Sequence, residues 1–242
     1  MRQDGLRVSS FSTLAECRAP LEAALFWVQA LAHPWPFVSK RQRKLVLFIP
    51  GFMAGDATLA PLAAICSWLG HRSLFAGIWS NSSCPRATVD RLERRLADIQ
   101  RRYGERVVLV GQSLGGVYAR ELAARVPGQV ERVITLGSPL RLLEGVNRMV
   151  TATARTVGLV RGLRKGCFTE SCSCGMALDE RTLEVPATVV YSRSDGVVPW
   201  QGCIDRSGSP LVENVEVMAS HCGMGVHPDV CRIVADRLAR WR

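Results

Sequence analysis

Val107-Val108-Leu109-Val110-Gly111-Gln112-Ser113-Leu114-Gly115-Gly116 sets an apolar run, a Gly-x-Ser-x-Gly turn and the start of a helix in direct succession. The leading aliphatic residues read as a strand buried on both faces, the pattern of a parallel sheet. The turn after it holds its serine in a strained backbone conformation at the strand's carboxyl end, and the flanking glycines keep clashing side chains away. The helix that starts at Leu114 points its positive end at Ser113, which favours negative charge developing there. A Gly-x-Ser-x-Gly string alone is only a glycine-rich loop; the strand and helix on either side make Ser113 a candidate nucleophile.

Outward from this stretch the same rhythm repeats. Leu45-Val46-Leu47-Phe48-Ile49, ended by Pro50-Gly51, is a second continuous apolar run. Further runs fall at residues 73–78, 132–136, 187–191 and 212–217. Between them lie segments with helical spacing. Leu59, Leu62, Ile65 and Leu69 form one stripe, and Val89, Leu92, Leu96 and Ile99 another. A third helix is expected from just after Ser113 to about residue 126, closed by Pro127-Gly128, and a fourth over residues 228–240 with Pro at its first position. Strands alternating with helices predict an α/β fold: a mostly parallel sheet of about six strands flanked by helices. Residues 140–184 break the rhythm, being rich in Arg, Gly and Cys without a clear strand, and are read as an inserted helical or irregular cap.

A serine hydroxyl is a weak nucleophile and needs a histidine to take its proton and a carboxylate to orient that histidine. Where the nucleophile sits on such a turn, the acid follows a later strand and the histidine comes after the final one. Asp195, in Ser192-Arg193-Ser194-Asp195-Gly196-Val197-Val198-Pro199, lies just past the run 187–191, although Asp-Gly is also a common turn pair. After residue 217 come His221 and His227; His221 is four residues past the strand, whereas His227 directly precedes Pro228 at the start of the last helix. His221 is therefore the candidate base. His33 and His71 precede the strands that should carry the acid and base, and are read as surface or packing residues. Donors for an oxyanion are expected from the backbone N–H groups of Leu114 and of Phe52, in the loop Pro50-Gly51-Phe52-Met53-Ala54-Gly55-Asp56.

The chain of 242 residues is the size of one α/β domain, and 48% hydrophobic against 21% charged residues excludes a disordered protein. We read residues 1–242 as a single domain with an N-terminal helical extension, 1–44, and the cap insertion, 140–184. The formal charge of +10 draws it toward anionic surfaces, and peripheral contact with an anionic membrane is one expectation. The basic stretches Lys40-Arg41-Gln42-Arg43-Lys44 and 155–165 lack the aromatics and motifs of a nucleic-acid binder. Nine scattered cysteines do not resemble a secreted disulfide framework, and Cys172-Ser173-Cys174 is spaced too closely for a usual zinc site. No signal peptide is evident in the first residues, and residues 21–38 are too interrupted to span a membrane, so they are read as an amphipathic helix packed on the domain and the location as cytoplasmic.

Taken together, Ile49-Pro50-Gly51-Phe52, Gly111-Gln112-Ser113-Leu114-Gly115-Gly116, Ile134-Thr135-Leu136-Gly137-Ser138-Pro139, Tyr191-Ser192-Arg193-Ser194-Asp195-Gly196-Val197-Val198 and Ser220-His221 resemble a bacterial α/β-hydrolase of the esterase and lipase type, from about residue 45 to residue 242. That resemblance implies hydrolysis of a small-molecule or lipid acyl ester through an acyl-enzyme, with Ser113 attacking, His221 moving the proton and Asp195 holding the imidazole. It implies no metal and no organic cofactor. Many lipases carry His-Gly where this chain has Pro50-Gly51, a departure that bears on the second oxyanion donor. Two other readings keep the fold: an acyltransferase using the same three residues, and a non-catalytic binding protein.

Overall fold

Leu45, Leu47 and Ile49 alternate with Val46 and Phe48 along the first strand, and all five are buried, so this strand must be covered on both faces. A computed structural model describes residues 15–22, 24, 28, 43–140 and 183–239 of the chain. In it the strands β1 (Leu45–Ile49), β2 (Arg72–Phe75), β3 (Val107–Gln112), β4 (Val130–Leu136), β5 (Ala187–Ser192) and β6 (Val212–Val217) form one sheet in the order β2-β1-β3-β4-β5-β6. Every neighbouring pair is parallel.

The two faces are clothed by different helices. Val46, Phe48, Val108 and Val110 pack with Leu62 and Ile65 of α1 (Ala60–Trp68) and with Val230, Val234 and Leu238 of α5 (Pro228–Ala239). Leu45, Leu47, Ile49 and Leu109 face the other way, onto Val89, Leu92, Leu96 and Ile99 of α2 (Pro85–Tyr103) and Val117 and Leu122 of α3 (Leu114–Arg125). Fully burying such a side chain stabilises the fold by about 1.5–3 kcal/mol. The helix α2 opens on Pro85, where a missing N–H costs nothing, and stops at Gly104, which takes the left-handed φ of 69° that ends a helix. The short α4 (Trp200–Cys203) lies in the connection between β5 and β6 and was not apparent from periodicity.

The sequence pattern and the sheet differ at β2. The apolar run at 73–78 predicts a strand of that length, but β2 spans Arg72–Phe75. Beyond it Gly77 turns to φ 75°, and the N–H groups of Gly77 and Ile78 donate to Asp56 Oδ2 at 2.8 and 3.1 Å instead of to a strand. The expected cap and most of the N-terminal extension lie outside the described residues. Of the helix expected over 21–38, most lies outside the described residues; Leu21 and Val28 are exposed and Glu22 is buried.

Because all strands run the same way, their carboxyl ends share one rim. From β1 the chain passes to β2 on one side, then returns across to β3 on the other. The connections leaving β1 and β3 therefore diverge, and a crevice opens at their carboxyl ends, the place where such sheets bind ligands.

Candidate active site

Ser113 stands at those carboxyl ends, directly after β3. Its backbone adopts φ 51° and ψ −123°, a conformation L-residues rarely take, and its N–H donates to Leu136 O at 2.8 Å. The turn is possible because its neighbours have no side chains. A Cβ at Gly111 would lie 2.4 Å from Gly115 O, one at Gly115 would lie 2.1 Å from Ile49 O, and one at Gly116 would lie 2.0 Å from Ser138 Oγ. The first two contacts are with backbone, which cannot step aside cheaply. Ser113 thus stands at the junction of β3 and α3 because β1, β3 and α3 approach one another through three glycines.

Asp195 follows β5, and its side chain is 1% exposed. Asp195 Oδ1 accepts the N–H groups of Val197 at 2.8 Å and Val198 at 2.7 Å, which folds the acid loop around the carboxylate. Asp195 Oδ2 meets His221 Nδ1 at 2.7 Å, a fully buried pair. Burial opposes charging His221, but the Asp195 carboxylate, with Glu16 beyond it, outweighs burial and holds the imidazole pKa above its ordinary 6.5. Gly137, at φ 55° after β4, makes room for this pair: a Cβ there would lie 3.1 Å from Asp195 Oδ2 and 2.9 Å from Met224 Sδ.

The base loop is tied to the serine turn through Gln112, whose Nε2 donates to His221 O at 2.9 Å. Asp195 and His221 are joined directly; between Ser113 and His221 no hydrogen bond is formed among the described residues. Such contacts are often long without substrate and shorten when it binds. His227 sits at the start of α5, its Nδ1 accepting the N–H of Asp229 at 3.3 Å. His71 lies at the opposite rim, beside Lys44, and His33 is outside the described residues.

On the other side of Ser113, Gly51 comes so close that a Cβ there would stand 3.1 Å from Ser113 Cβ and 3.8 Å from Oγ. Phe52 is the next residue, and Leu114 N–H is the first of α3, where helix geometry leaves N–H groups without intrahelical acceptors. The loop is pinned from outside the turn. Asn81 Nδ2 donates to Pro50 O at 2.8 Å, Met53 N–H donates to Asn81 O at 2.9 Å, and Asn81 N–H donates to Ala54 O at 2.8 Å. Met53 is itself held at φ 58°.

Three side chains here escaped the sequence reading. Gln112 and Asn81 anchor the base loop and the loop after β1; a buried amide in the middle of the Gly-x-Ser-x-Gly turn was the available hint for Gln112. Glu16, from the short helical turn Ala15–Arg18, reaches both the acid and base loops. No local pattern marks it, since its partners lie 180 residues or more further along the chain.

No family model matches the sequence, and no curated protein matches it either. Its likeness is to solved structures. Bacillus licheniformis lipase in its mature form superposes with a TM-score of 0.64 at 16% identity, over 85% of this chain and 96% of that one. An alpha/beta hydrolase from the metagenome of Moroccan lagoon sediments superposes with a TM-score of 0.56 at 20% identity, over 81% and 90%. The chain has the α/β-hydrolase fold. Aspergillus fumigatus lipase B gives a TM-score of 0.61 at 17% identity over 86% of this chain, which spans 55% of that longer protein. The strained Ser113 follows β3, and the loops that carry Asp195 and His221 leave β5 and β6 at the same rim.

Proposed function

We propose that this chain is a serine hydrolase that cleaves carboxylic esters through an acyl-enzyme. The observation that carries the reading is the buried Asp195–His221 pair, 2.7 Å apart, delivered to the rim where Ser113 is held at φ 51°. Backbone strain of this kind costs about 1–3 kcal/mol and persists where function requires it. The lipases with the same fold support ester substrates, lipid esters included.

In this mechanism His221 Nε2 takes the proton from Ser113 Oγ as the oxygen attacks the ester carbonyl. Asp195 fixes the imidazole with its proton on Nδ1, so that Nε2 is free to accept, and stabilises the imidazolium that forms. The N–H groups of Leu114 and Phe52 receive the oxyanion. When the intermediate collapses, the carbon–oxygen bond to the leaving alcohol breaks and His221 gives that alcohol its proton. Water, activated by His221, then attacks the acyl-enzyme, releasing the acid and restoring the Ser113 hydroxyl.

The experiment is hydrolysis of p-nitrophenyl esters of graded chain length by the full chain, together with labelling by a fluorophosphonate. Turnover of at least one ester, with label on Ser113 and none in Ser113→Ala, is the expected result. Absence of both turnover and labelling in folded protein refutes the reading.

A further inference from the structure

Glu16, half-buried beside His221, has no part in the proposed mechanism. Glu16 Oε1 accepts two N–H groups from two different loops: Gly196 at 2.8 Å, in the acid loop, and His221 at 2.9 Å, in the base loop. Its other oxygen, Oε2, accepts the N–H of Cys222 at 2.9 Å. One carboxylate therefore spans the residue after Asp195, the histidine itself and the residue after it. Six positions further along, Glu22 Oε1 accepts the Ser220 N–H at 2.9 Å, and Glu22 Oε2 accepts the Ser220 hydroxyl. The Ser220 hydroxyl oxygen in turn accepts the Gly223 N–H at 3.0 Å. A Cβ at Gly223 would sit 1.7 Å from Glu22 Oε2, so the base loop is shaped to admit that acid.

We propose that Glu16 is a positioning residue for the hydrolytic site: it fixes the acid and base loops relative to each other and supplies a second negative charge facing His221. The inference rests on the reading of His221 as the base. Three bonds to backbone N–H groups from two loops are more than a carboxylate at a solvated surface would make, and they commit Glu16 to the ionised state. Burial works against that state, but the N–H groups of Cys222, His221 and Gly196, together with the His221 charge, win and hold its pKa below the ordinary value.

The titratable groups around the imidazole can be named from each element packed against it. Asp195 reaches it from the loop after β5, and Glu16 from the N-terminal turn. Cys222 is its neighbour in the chain, a thiol that burial and the nearby acids push up to about 11 and so keep neutral. Glu22 binds the Ser220 N–H, and Cys203, a thiol held neutral by burial, faces Asp195 rather than the imidazole. Among the described residues, the charges that act on the imidazole are those of Asp195 and Glu16. A base flanked by two carboxylates holds its proton more tightly, so the pH at which it becomes competent is set by Glu16 as well as Asp195.

The test is the rate of fluorophosphonate labelling of the full chain as a function of pH, which needs no knowledge of the natural ester. Wild-type labelling should rise with pH along a limb centred above 6.5. Glu16→Gln keeps an oxygen acceptor but removes the charge, and should move that limb to lower pH by at least about 0.5 unit. Glu16→Asp keeps the charge on a shorter arm that cannot bridge both loops; its limb should stay in place while the plateau rate falls severalfold. A Glu16→Gln limb coincident with wild type overturns the charge role. Should Glu16→Gln fail to fold, Glu16→Asp decides, and a plateau equal to wild type overturns the bridging role. Wild-type protein that takes no label at any pH refutes the hydrolase reading instead, so the two failures are distinct.

Discussion

Asp195→Asn isolates the charge of the acid from its packing, because the two side chains have the same shape. Asp195 Oδ1, which accepts Val197 N–H at 2.8 Å and Val198 N–H at 2.7 Å, remains an oxygen in the amide, so the acid loop keeps its turn. The change falls on the atom 2.7 Å from His221 Nδ1, which becomes an NH2 group. A donor there forces Nδ1 to accept, moves the ring proton to Nε2, and leaves the base unable to take the proton of Ser113. The electrostatic loss is of matching size. Two unit charges separated by 2.7 Å attract by about 6 kcal/mol at an effective dielectric of ~20. The amide dipole retains a fraction of this, leaving a loss of about 4–6 kcal/mol, or about 10³–10⁴ in kcat. The assay is steady-state hydrolysis of a p-nitrophenyl ester, with a thermal melt to show that the fold persists. A folded Asp195→Asn protein with kcat within tenfold of wild type refutes the assignment of Asp195.

Two further outcomes follow from the backbone and from the far rim. Ser113→Gly and Ser113→Ala should both lose turnover, but Gly, free to adopt φ 51° and ψ −123°, should be the more stable of the two by about 1 kcal/mol in denaturant unfolding; equal stability, or a more stable Ala variant, contradicts the strain. At the rim remote from Ser113, His71 accepts the Lys44 N–H at Nδ1, and its buried Nε2 has no hydrogen-bond partner among the described residues. Burial first, then the Lys44 charge, lowers its pKa from 6.5 to about 4, against the opposing pull of Glu131. The folded protein therefore resists a proton that the unfolded chain accepts, so stability contributed by neutral His71 is intact above about 6.5 and is lost as pH falls toward 4. Replacing it, as in His71→Leu, should remove up to one proton from the pH dependence of unfolding across that window, and an unchanged slope counts against the depressed pKa.

The fold was legible in the sequence because parallel strands buried on both faces are continuous apolar runs, as at Leu45–Ile49 and in Val107-Val108-Leu109-Val110, and glycine marks where they must end. Ser113, Asp195 and His221 each lie past a strand expected from the sequence, so strand position alone locates them at one rim. What could not be read depends on groups brought together by tertiary structure. The run at 73–78 looked like uninterrupted strand, yet Asp56 removes its last N–H groups from the ladder. Glu16 and Glu22 sit in an N-terminal stretch, and their partners lie beyond β5 and β6. A carboxylate that binds backbone N–H groups needs no particular partner side chain, and so leaves no trace in the spacing of residue types.

Strand order sets a span that the loops must bridge. Ser113 follows β3, while the loops of Asp195 and His221 leave β5 and β6, two and three places away. At about 4.8 Å per strand, those offsets are about 10 and 14 Å. Both loops must arch back over the end of β4 to reach the serine, and the surface they cross is Gly137. That glycine is the saddle beneath the arch. Its bare backbone leaves the room that the Asp195 carboxylate and the Met224 side chain take up, and so sets how low these loops can pass on the way toward β3.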